Sequence, residues 1–323
     1  MYLGADELVE ALRGAGEPTR MRILALLARE ELSVMEMCQI LAQSQPRVSR
    51  HLKLLAEAGL VERFPDGAWV FYRLATEGPR RNLIAAALGL LDPHDRMLAR
   101  DLDRLEEVNR TRSSEAAAYF ERNAPQWDEL RSLYVAEDTV EAAILDAAGA
   151  GPFHRLIDLG TGGGRMLTLL GSRARSSIGL DLSQQMLNIA RREVTAAGVK
   201  GCELRHGDIF ATRLADGSAD LVIIHRVLHF LSDPGSAIAE AARLLGPGGK
   251  LLIVDFAPHQ LEFLRTAHQH RRLGFSDEEI ARWCGDAGLG VVSEAALPPA
   301  AQDGLTVKLW SAQPRAQTQR TAA

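Results

Sequence analysis

The nine residues IDLGTGGGR (157–165) decide how the larger part of this chain folds. An apolar run, Leu156-Ile157, ends in Asp158; Gly160, Thr161, Gly162, Gly163 and Gly164 follow, and a helical pattern begins after them. Glycine lets a backbone turn sharply and approach a ligand closely, so the stretch reads as a strand-to-helix turn that cradles something. A second short strand, Ile178-Gly179-Leu180, ends in Asp181, where a carboxylate suits a ribose diol. A dinucleotide fingerprint wants glycine at its sixth position, but Arg165 stands there, and a carboxylate at Asp158 would repel a pyrophosphate. It suits a ligand carrying an ammonium group and a cationic sulfonium, which points to S-adenosylmethionine rather than a dinucleotide.

The chain beyond keeps the rhythm of a doubly wound sheet. Cys202–Arg205, Leu221–Ile224 and Lys250–Val254 read as strands, Ser236–Leu245 as a helix, and Val291–Glu294 with Thr306–Trp310 as a last pair of strands. Ligands in such sheets sit at the carboxyl ends of the strands. The polar residues just past those ends are Asp158, Asp181, His206, Asp208, His225 and Asp255. A plain core does not predict that clustering; a site does.

These segments, with IGLDLSQQML (178–187), RHGDI (205–209), DLVIIHRVLHFL (220–231) and LLGPGGKLLIVDF (244–256), make residues 115–311 resemble a class I S-adenosylmethionine-dependent methyltransferase. The resemblance implies a Rossmann-like seven-stranded sheet. It implies that Gly160, Gly162 and Gly164 line the methionine end of the ligand, with Asp158 and Thr161 beside them. Asp181 would bind the ribose hydroxyls, and Leu182 or Met186 would lie against the adenine. Gly207, Asp208 and Ile209 would complete the adenine pocket, and His225 would face the sulfur and any acceptor. S-adenosylmethionine or S-adenosylhomocysteine is therefore the expected cofactor.

The N-terminal hundred residues form a second unit. Glu17-Pro18-Thr19-Arg20 opens an amphipathic helix, and Ser33-x-x-Glu36 has the form of a capping box over a short helix through Leu41. Ser44 begins a third helix, with Pro46 tolerated in its first turn. There Val48, Leu52 and Leu55 share one face while Gln45, Arg47, Ser49, Arg50 and Lys53 project elsewhere. No acidic residue falls between Glu36 and Glu57, so this free face fits major-groove docking and phosphate contact. Two alternating runs, Leu60–Phe64 and Trp69–Leu74, carry Arg63 and Arg73 and are joined by Pro65-Asp66-Gly67-Ala68, a hairpin with strong turn residues. Helix, turn, basic helix and hairpin is the order of a winged helix-turn-helix.

Residues 8–75, most closely 33–74, resemble the ArsR/SmtB winged-helix repressors. The resemblance implies binding to a double-stranded DNA operator as a homodimer. Many relatives sense metals through a cysteine pair, which would fall here near Ser33 and Met35, and neither supplies a thiolate. Asp92-x-His94 echoes part of another metal site, but Leu105 stands where its second histidine is expected. No metal is therefore expected. The two resemblances together match a known fusion, some members of which resemble regulators that respond to S-adenosylhomocysteine and control methionine-cycle genes.

The bulk properties fit two domains: 323 residues, 46% of them hydrophobic, with a net charge of −5 that argues against indiscriminate nucleic-acid binding. Three scattered cysteines, Cys38, Cys202 and Cys284, form neither a disulfide framework nor a zinc pattern. No apolar stretch approaches the roughly 20 residues that span a bilayer, and the N-terminus lacks a signal-peptide pattern, so a cytoplasmic location away from membranes is expected. The expected boundaries are a reader over 1–95, a helical linker or dimer seam over 96–114 built on Leu98, Leu102, Leu105 and Val108, the α/β domain over 115–311 and a disordered tail over 312–323. Late histidines cluster, and His225 and His229 are the candidates for a catalytic base. Methyl transfer needs little beyond positioning and desolvation, so these residues alone do not separate an enzyme from a ligand sensor.

Overall fold

The computed structural model describes residues 2–66, 69–76, 78–123, 137–299 and 304–315. It divides into two compact units, Met1–Ser114 and Glu115–Ala323.

In the first unit, α1 (Ala5–Ala15) and α2 (Pro18–Leu27) lead into a two-residue strand β1 (Leu32–Ser33) and α3 (Val34–Leu41). The capping box forms as its residues dictate: the Glu36 carboxylate accepts from Ser33 N–H at 2.6 Å, and Ser33 Oγ accepts from Glu36 N–H at 3.4 Å. Ala42 then turns left-handed (φ +52), and α4 (Gln45–Glu57) begins after Ser44. Val48, Leu52 and Leu55 of α4 are fully buried against Ile23, Met37 and Ile40. Strands β2 (Val61–Asp66) and β3 (Trp69–Leu74) pair antiparallel, and β1 joins the outer side of β3. The strand pairing includes Pro65 and Asp66, which the sequence reading gives to the turn; residues 67 and 68 lie outside those described.

Two features differ from the sequence expectation. Pro79 and the Asp92-Pro93 step give residues 79–95 the sequence of a punctuated connector, yet most of this stretch is a helix, α5 (Gly78–Gly89). Pro79 falls in its first turn, where a missing N–H costs no helical bond, and the leucine- and alanine-rich run behind it favours the helix. The helix expected over 96–114 runs longer, as α6 (Arg96–Asn123), and its N-terminal part packs on the core of the first unit. Leu105 and Val108 are buried there, Arg22 and Asp101 pair at 2.5 Å, and Arg104 donates to the Ile40 carbonyl at 3.0 Å. The inner part of the expected dimer seam thus closes the reader domain itself.

After the end of α6, the described part of the second unit continues with α7 (Glu137–Ala148), β4 (Phe153–Leu159), α8 (Arg165–Leu170), β5 (Ala174–Asp181), α9 (Gln184–Ala196), β6 (Cys202–His206), β7 (Ala219–His225), α10 (Pro234–Leu244) and β8 (Leu245–Phe256). After β8 come α11 (Phe263–His268), α12 (Asp277–Asp286), β9 (Leu289–Leu297) and β10 (Val307–Pro314). The seven strands lie in the order β6-β5-β4-β7-β8-β10-β9, parallel except where β10 runs against β8 and β9. Alternation along each strand feeds two cores: Ile157, Val222, Ile224, Leu251 and Ile253 pack toward α10 and α12, while Leu156, Leu221, Ile223, Leu252 and Val254 pack toward α7 and α8.

The tail expected from residue 312 does not begin there, and residues 316–323 lie outside those described. Ser311 and Ala312 are buried in β10, and the ladder with β9 continues to Pro314, because strand pairing and burial outweigh the polar composition of that stretch. The expected α/β class, with a winged helix-turn-helix ahead of a Rossmann-like domain, is what the chain adopts. Among the described residues no helix is long and apolar enough to cross a membrane.

Candidate functional site

Strand order reverses between β4 and β7: β5 and β6 lie to one side, β8 and beyond to the other. Outside the carboxyl ends of two such strands a crevice opens, and it is where ligands bind in open α/β sheets. The glycine turn sits there. Gly160 has φ +77, and a side chain on it would meet Val227 Cγ2 at 2.4 Å, so this position admits only glycine. Gly164 (φ +83) begins α8 against Ala190 of α9, where an added Cβ would stand 3.0 Å from the alanine methyl.

The turn is tied to the end of β5. Gly160 and Thr161 N–H both donate to the Leu180 carbonyl, at 2.9 and 2.8 Å. Asp181 holds the loop through its carboxylate: Oδ2 accepts from Gly162 N–H at 2.8 Å and Oδ1 from Ser183 N–H at 2.8 Å. Asp158 lies beneath, 1% exposed, with Oδ2 accepting from Thr161 Oγ1 at 2.6 Å and Oδ1 without a hydrogen-bond partner among the described residues. Burial pushes the Asp158 carboxyl up to about 7, and nearby Asp181 adds to the rise. Asp181 is also raised by burial, against the pull of the N–H donors from Ser183 and Gly162. Two adjacent carboxylates, one with an orphaned oxygen, are a place for a cation. The ammonium and sulfonium of S-adenosylmethionine fit that charge, and the bare loop backbone leaves room for its approach.

The residues expected beside an adenine take the following positions. Met186 is buried on α9 and Leu182 is exposed at the rim. Gly207 N–H donates to the Asp181 carbonyl at 3.1 Å, which brings the β6 end beside β5. Asp208 is exposed and accepts from Phe210 N–H at 3.0 Å, Ile209 is buried, and His206 Nε2 lies 2.9 Å from the Leu182 carbonyl. His225 ends β7, partly buried. Sequence reading named Asp255 and His229 separately but missed their pairing: His229 Nδ1 stands 2.7 Å from Asp255 Oδ1. Their positions past adjacent strand ends are the only sequence signal for it. It also missed Arg226, a buried arginine at φ +53 that pairs with Glu137 at 2.6 Å.

In the reader unit Gln45, Arg47, Arg50 and Lys53 are exposed on α4, and Ser49 is partly so. Lys53 approaches Glu57 at 3.7 Å, an exposed pair of little energetic weight. Arg63 is exposed on β2. Arg73 stands apart from this group: Glu62 binds it at 2.9 Å, Glu31 lies at 3.7 Å, and its guanidinium lies over the Phe64 ring. Ser33 caps its helix and Leu105 is buried in the core.

Sheet order, glycine turn and paired carboxylates together define a class I methyltransferase domain, and the helices with their hairpin define a winged helix-turn-helix. Comparison with known proteins agrees on both. The family described as "Methyltransferase domain" matches residues 157–253, and "Bacterial regulatory protein, arsR family" matches residues 17–63. The arsenic resistance transcriptional regulator ArsR1 of Pseudomonas putida is 40% identical over 102 residues, 31% of this chain and 79% of that protein. The chain belongs to the ArsR family and joins its reader to a class I methyltransferase domain. A demethylmenaquinone methyltransferase of Renibacterium salmoninarum is 30% identical over 159 residues, 49% of this chain and 65% of the enzyme. The chain spans 48% to 65% of the length of three curated relatives, this enzyme among them. Among solved structures, a complex of the Haloferax volcanii Trm112 methyltransferase activator with a protein assigned as a methyltransferase matches with a TM-score of 0.50 at 21% identity. That match covers 61% of this chain and 96% of the matched one, and it speaks to fold alone.

Proposed function

We propose that this protein is a DNA-binding transcriptional regulator, a repressor of ArsR type, gated by S-adenosylhomocysteine or S-adenosylmethionine bound in its methyltransferase domain. The observation that carries the reading is the presence in one chain of an exposed cationic reader helix, with Arg47, Arg50 and Lys53, and an intact donor loop closed by Asp181. Gln45 and Ser49 would read base edges while Arg47, Arg50, Lys53 and Arg63 contact phosphate and base. Genes of the methionine cycle are the natural targets for an effector of this kind.

The active form is a homodimer. Leu8, Val9 and Leu12 leave an apolar stripe exposed on α1, and Met97 is exposed near the start of α6. A second copy is the occupant that a reader of paired half-sites requires. The ligand shifts DNA affinity only by the difference in its binding free energy between the DNA-competent and DNA-free states.

The deciding experiment is a fluorescence titration of the protein against the DNA upstream of its own gene, at fixed salt, with and without each ligand. A severalfold shift with one ligand and none with the other supports the sensor and names the effector. Tight DNA binding that ignores both removes ligand gating. A second reading, an active small-molecule methyltransferase with the winged helix as accessory module, draws support from the intact donor loop and from the His229–Asp255 pair beside it. Replacing Arg47 and Arg50 by alanine separates the two, because DNA binding should collapse while turnover of an acceptor survives.

A further inference from the structure

Between β6 and β7 the chain joins no helix and no ladder over residues 207–218, so bonds made elsewhere must give this loop its order. One end is tied at Gly207, whose N–H donates to the Asp181 carbonyl at 3.1 Å. The other end is held from α10. Glu240 Oε1 accepts from Thr212 N–H at 3.0 Å and from Thr212 Oγ1 at 2.6 Å. Arg243, three residues on, donates Nε to Glu240 Oε2 and Nη2 to Oε1, each at 2.7 Å, and Nη1 to the Leu214 carbonyl at 2.8 Å. Its guanidinium also pairs with exposed Asp216.

The burial pattern shows how firmly this clamp grips. Thr212 is buried between exposed Ala211 and Arg213. Arg213 has φ +56, a conformation that persists outside glycine only where the surroundings over-determine it. Both its neighbours are fixed: Thr212 by Glu240, and Leu214 by its carbonyl on Arg243 and its N–H on Thr212 Oγ1 at 3.3 Å. The Arg243 guanidinium, helped by Thr212 and against burial, holds the Glu240 carboxyl down to about 2, so the clamp stays charged across the physiological range. At the start of the loop, Asp208 Oδ1 accepts from Phe210 N–H at 3.0 Å and the Asp208 carbonyl from Ala211 N–H at 3.2 Å. The turn that aims Asp208 therefore runs straight into clamped Thr212, and Oδ2 is left to accept from a ligand.

We infer that Glu240 and Arg243 are positioning residues for base recognition. By pinning Thr212 and Leu214 they hold the 208–211 turn so that Asp208 accepts from the exocyclic amino group of a 6-aminopurine nucleoside and rejects the 6-oxo counterpart. The inference rests on the reading of residues 207–209 as the adenine side of the site. A carboxylate already held in place gives up little freedom when the amino group arrives, whereas one on a loose loop loses much of the bond's worth to ordering. A 6-oxo purine sets an acceptor oxygen against that carboxylate, and neither partner can donate.

Calorimetric titration of the full chain with S-adenosylhomocysteine and with S-inosylhomocysteine, its 6-oxo analogue, tests this. The wild-type protein should prefer the amino ligand at least tenfold. Glu240→Gln and Arg243→Met should each cut that preference below threefold, weakening the amino ligand while the 6-oxo ligand stays within threefold. Thr212→Val should do the same with α10 untouched, and Thr212→Ser, which keeps the hydroxyl, should retain the preference. In Asp208→Asn the preference should be gone, and adding Arg243→Met should take nothing further from it. Unfolding midpoints, with the retained 6-oxo affinity, separate lost recognition from a lost fold. Equal losses for both ligands in the clamp variants, or a preference that survives all of them, overturns the proposal. A preference that survives Asp208→Asn, or a wild-type protein without one, overturns the adenine reading of Asp208 and this inference with it. A wild-type protein that binds neither ligand overturns the donor-site reading on which both stand.

Discussion

The two units place their charges in opposite ways. The reader unit buries charge only in structural contacts such as the Glu36 cap and the Arg22–Asp101 pair, and sets Arg47, Arg50 and Lys53 out in water on α4. The methyltransferase domain takes charges out of water at the ends of its strands: Asp158, Asp255, Arg226, His229 and Arg272 are all buried there. A duplex is a large partner with its own counterions, so cations that meet it stay hydrated until contact. A small ligand has to be enclosed, and the groups that recognise it are desolvated in advance and held by neighbours. Under the proposed function the two units have separate tasks, and each should be disabled alone.

The sharpest break is on the reader side. Each phosphate or base contact is worth about 1–3 kcal/mol, so Arg47→Ala with Arg50→Ala should weaken operator binding about 100-fold or more and lower the salt slope. Affinity for S-adenosylhomocysteine, measured by calorimetry, should stay within twofold. If both affinities fall together, the division of labour is wrong.

Asp181→Ala tests the other side. It removes an acceptor that holds Gly162 and Ser183 N–H, and charged hydrogen bonds contribute about 1.5–3 kcal/mol each. S-adenosylhomocysteine binding should weaken roughly 30- to 100-fold, while DNA binding without ligand, read by fluorescence anisotropy, is unchanged.

Asp158 sharpens the comparison through pH. Its carboxyl is raised to about 7 in the folded protein, whereas the unfolded chain releases that proton near pH 4. The ligand-free protein should therefore lose stability as pH rises from about 4 to about 7 and level off above, which a set of thermal melts would trace. A cationic ligand favours the carboxylate, so S-adenosylmethionine affinity should rise across the same limit by up to about tenfold per pH unit below it. Asp158→Asn should flatten both curves; a pH response that persists in that variant would place the proton elsewhere.

The smallest effect belongs to Arg73. Held by Glu62 and Glu31 over Phe64, it should change DNA affinity less than about threefold when replaced by alanine, since a cation already engaged brings little to a phosphate. A loss as large as that of Arg50→Ala would return it to the interface.

Legibility followed the range of the interactions. The capping box at Ser33 and Glu36 and the buried face of α4 were open to reading because helix spacing and local hydrogen bonds decide them. So were the glycines at 160, 162 and 164, each at positive φ. The helix over Gly78–Gly89 escaped because Pro79 and the Asp92-Pro93 step read as breaks, although proline is harmless in a first turn. Ala312, Gln313 and Pro314 looked like a polar tail because composition carries no record of the strand opposite them.

What the chain's own residue order determined, then, is whatever depends on neighbours in sequence: strand and helix periods, caps, the glycine turn and the cationic face of α4. Tertiary structure alone decided the pairings across long sequence separations. Asp255 reaches His229 because β7 and β8 are adjacent, Val227 closes on Gly160 because the sheet order reverses beside β4, and Leu105 belongs to the reader core because α6 folds back on it. The reason is physical: burial and strand pairing reward contacts that no local pattern encodes, and they set which charged groups leave water together.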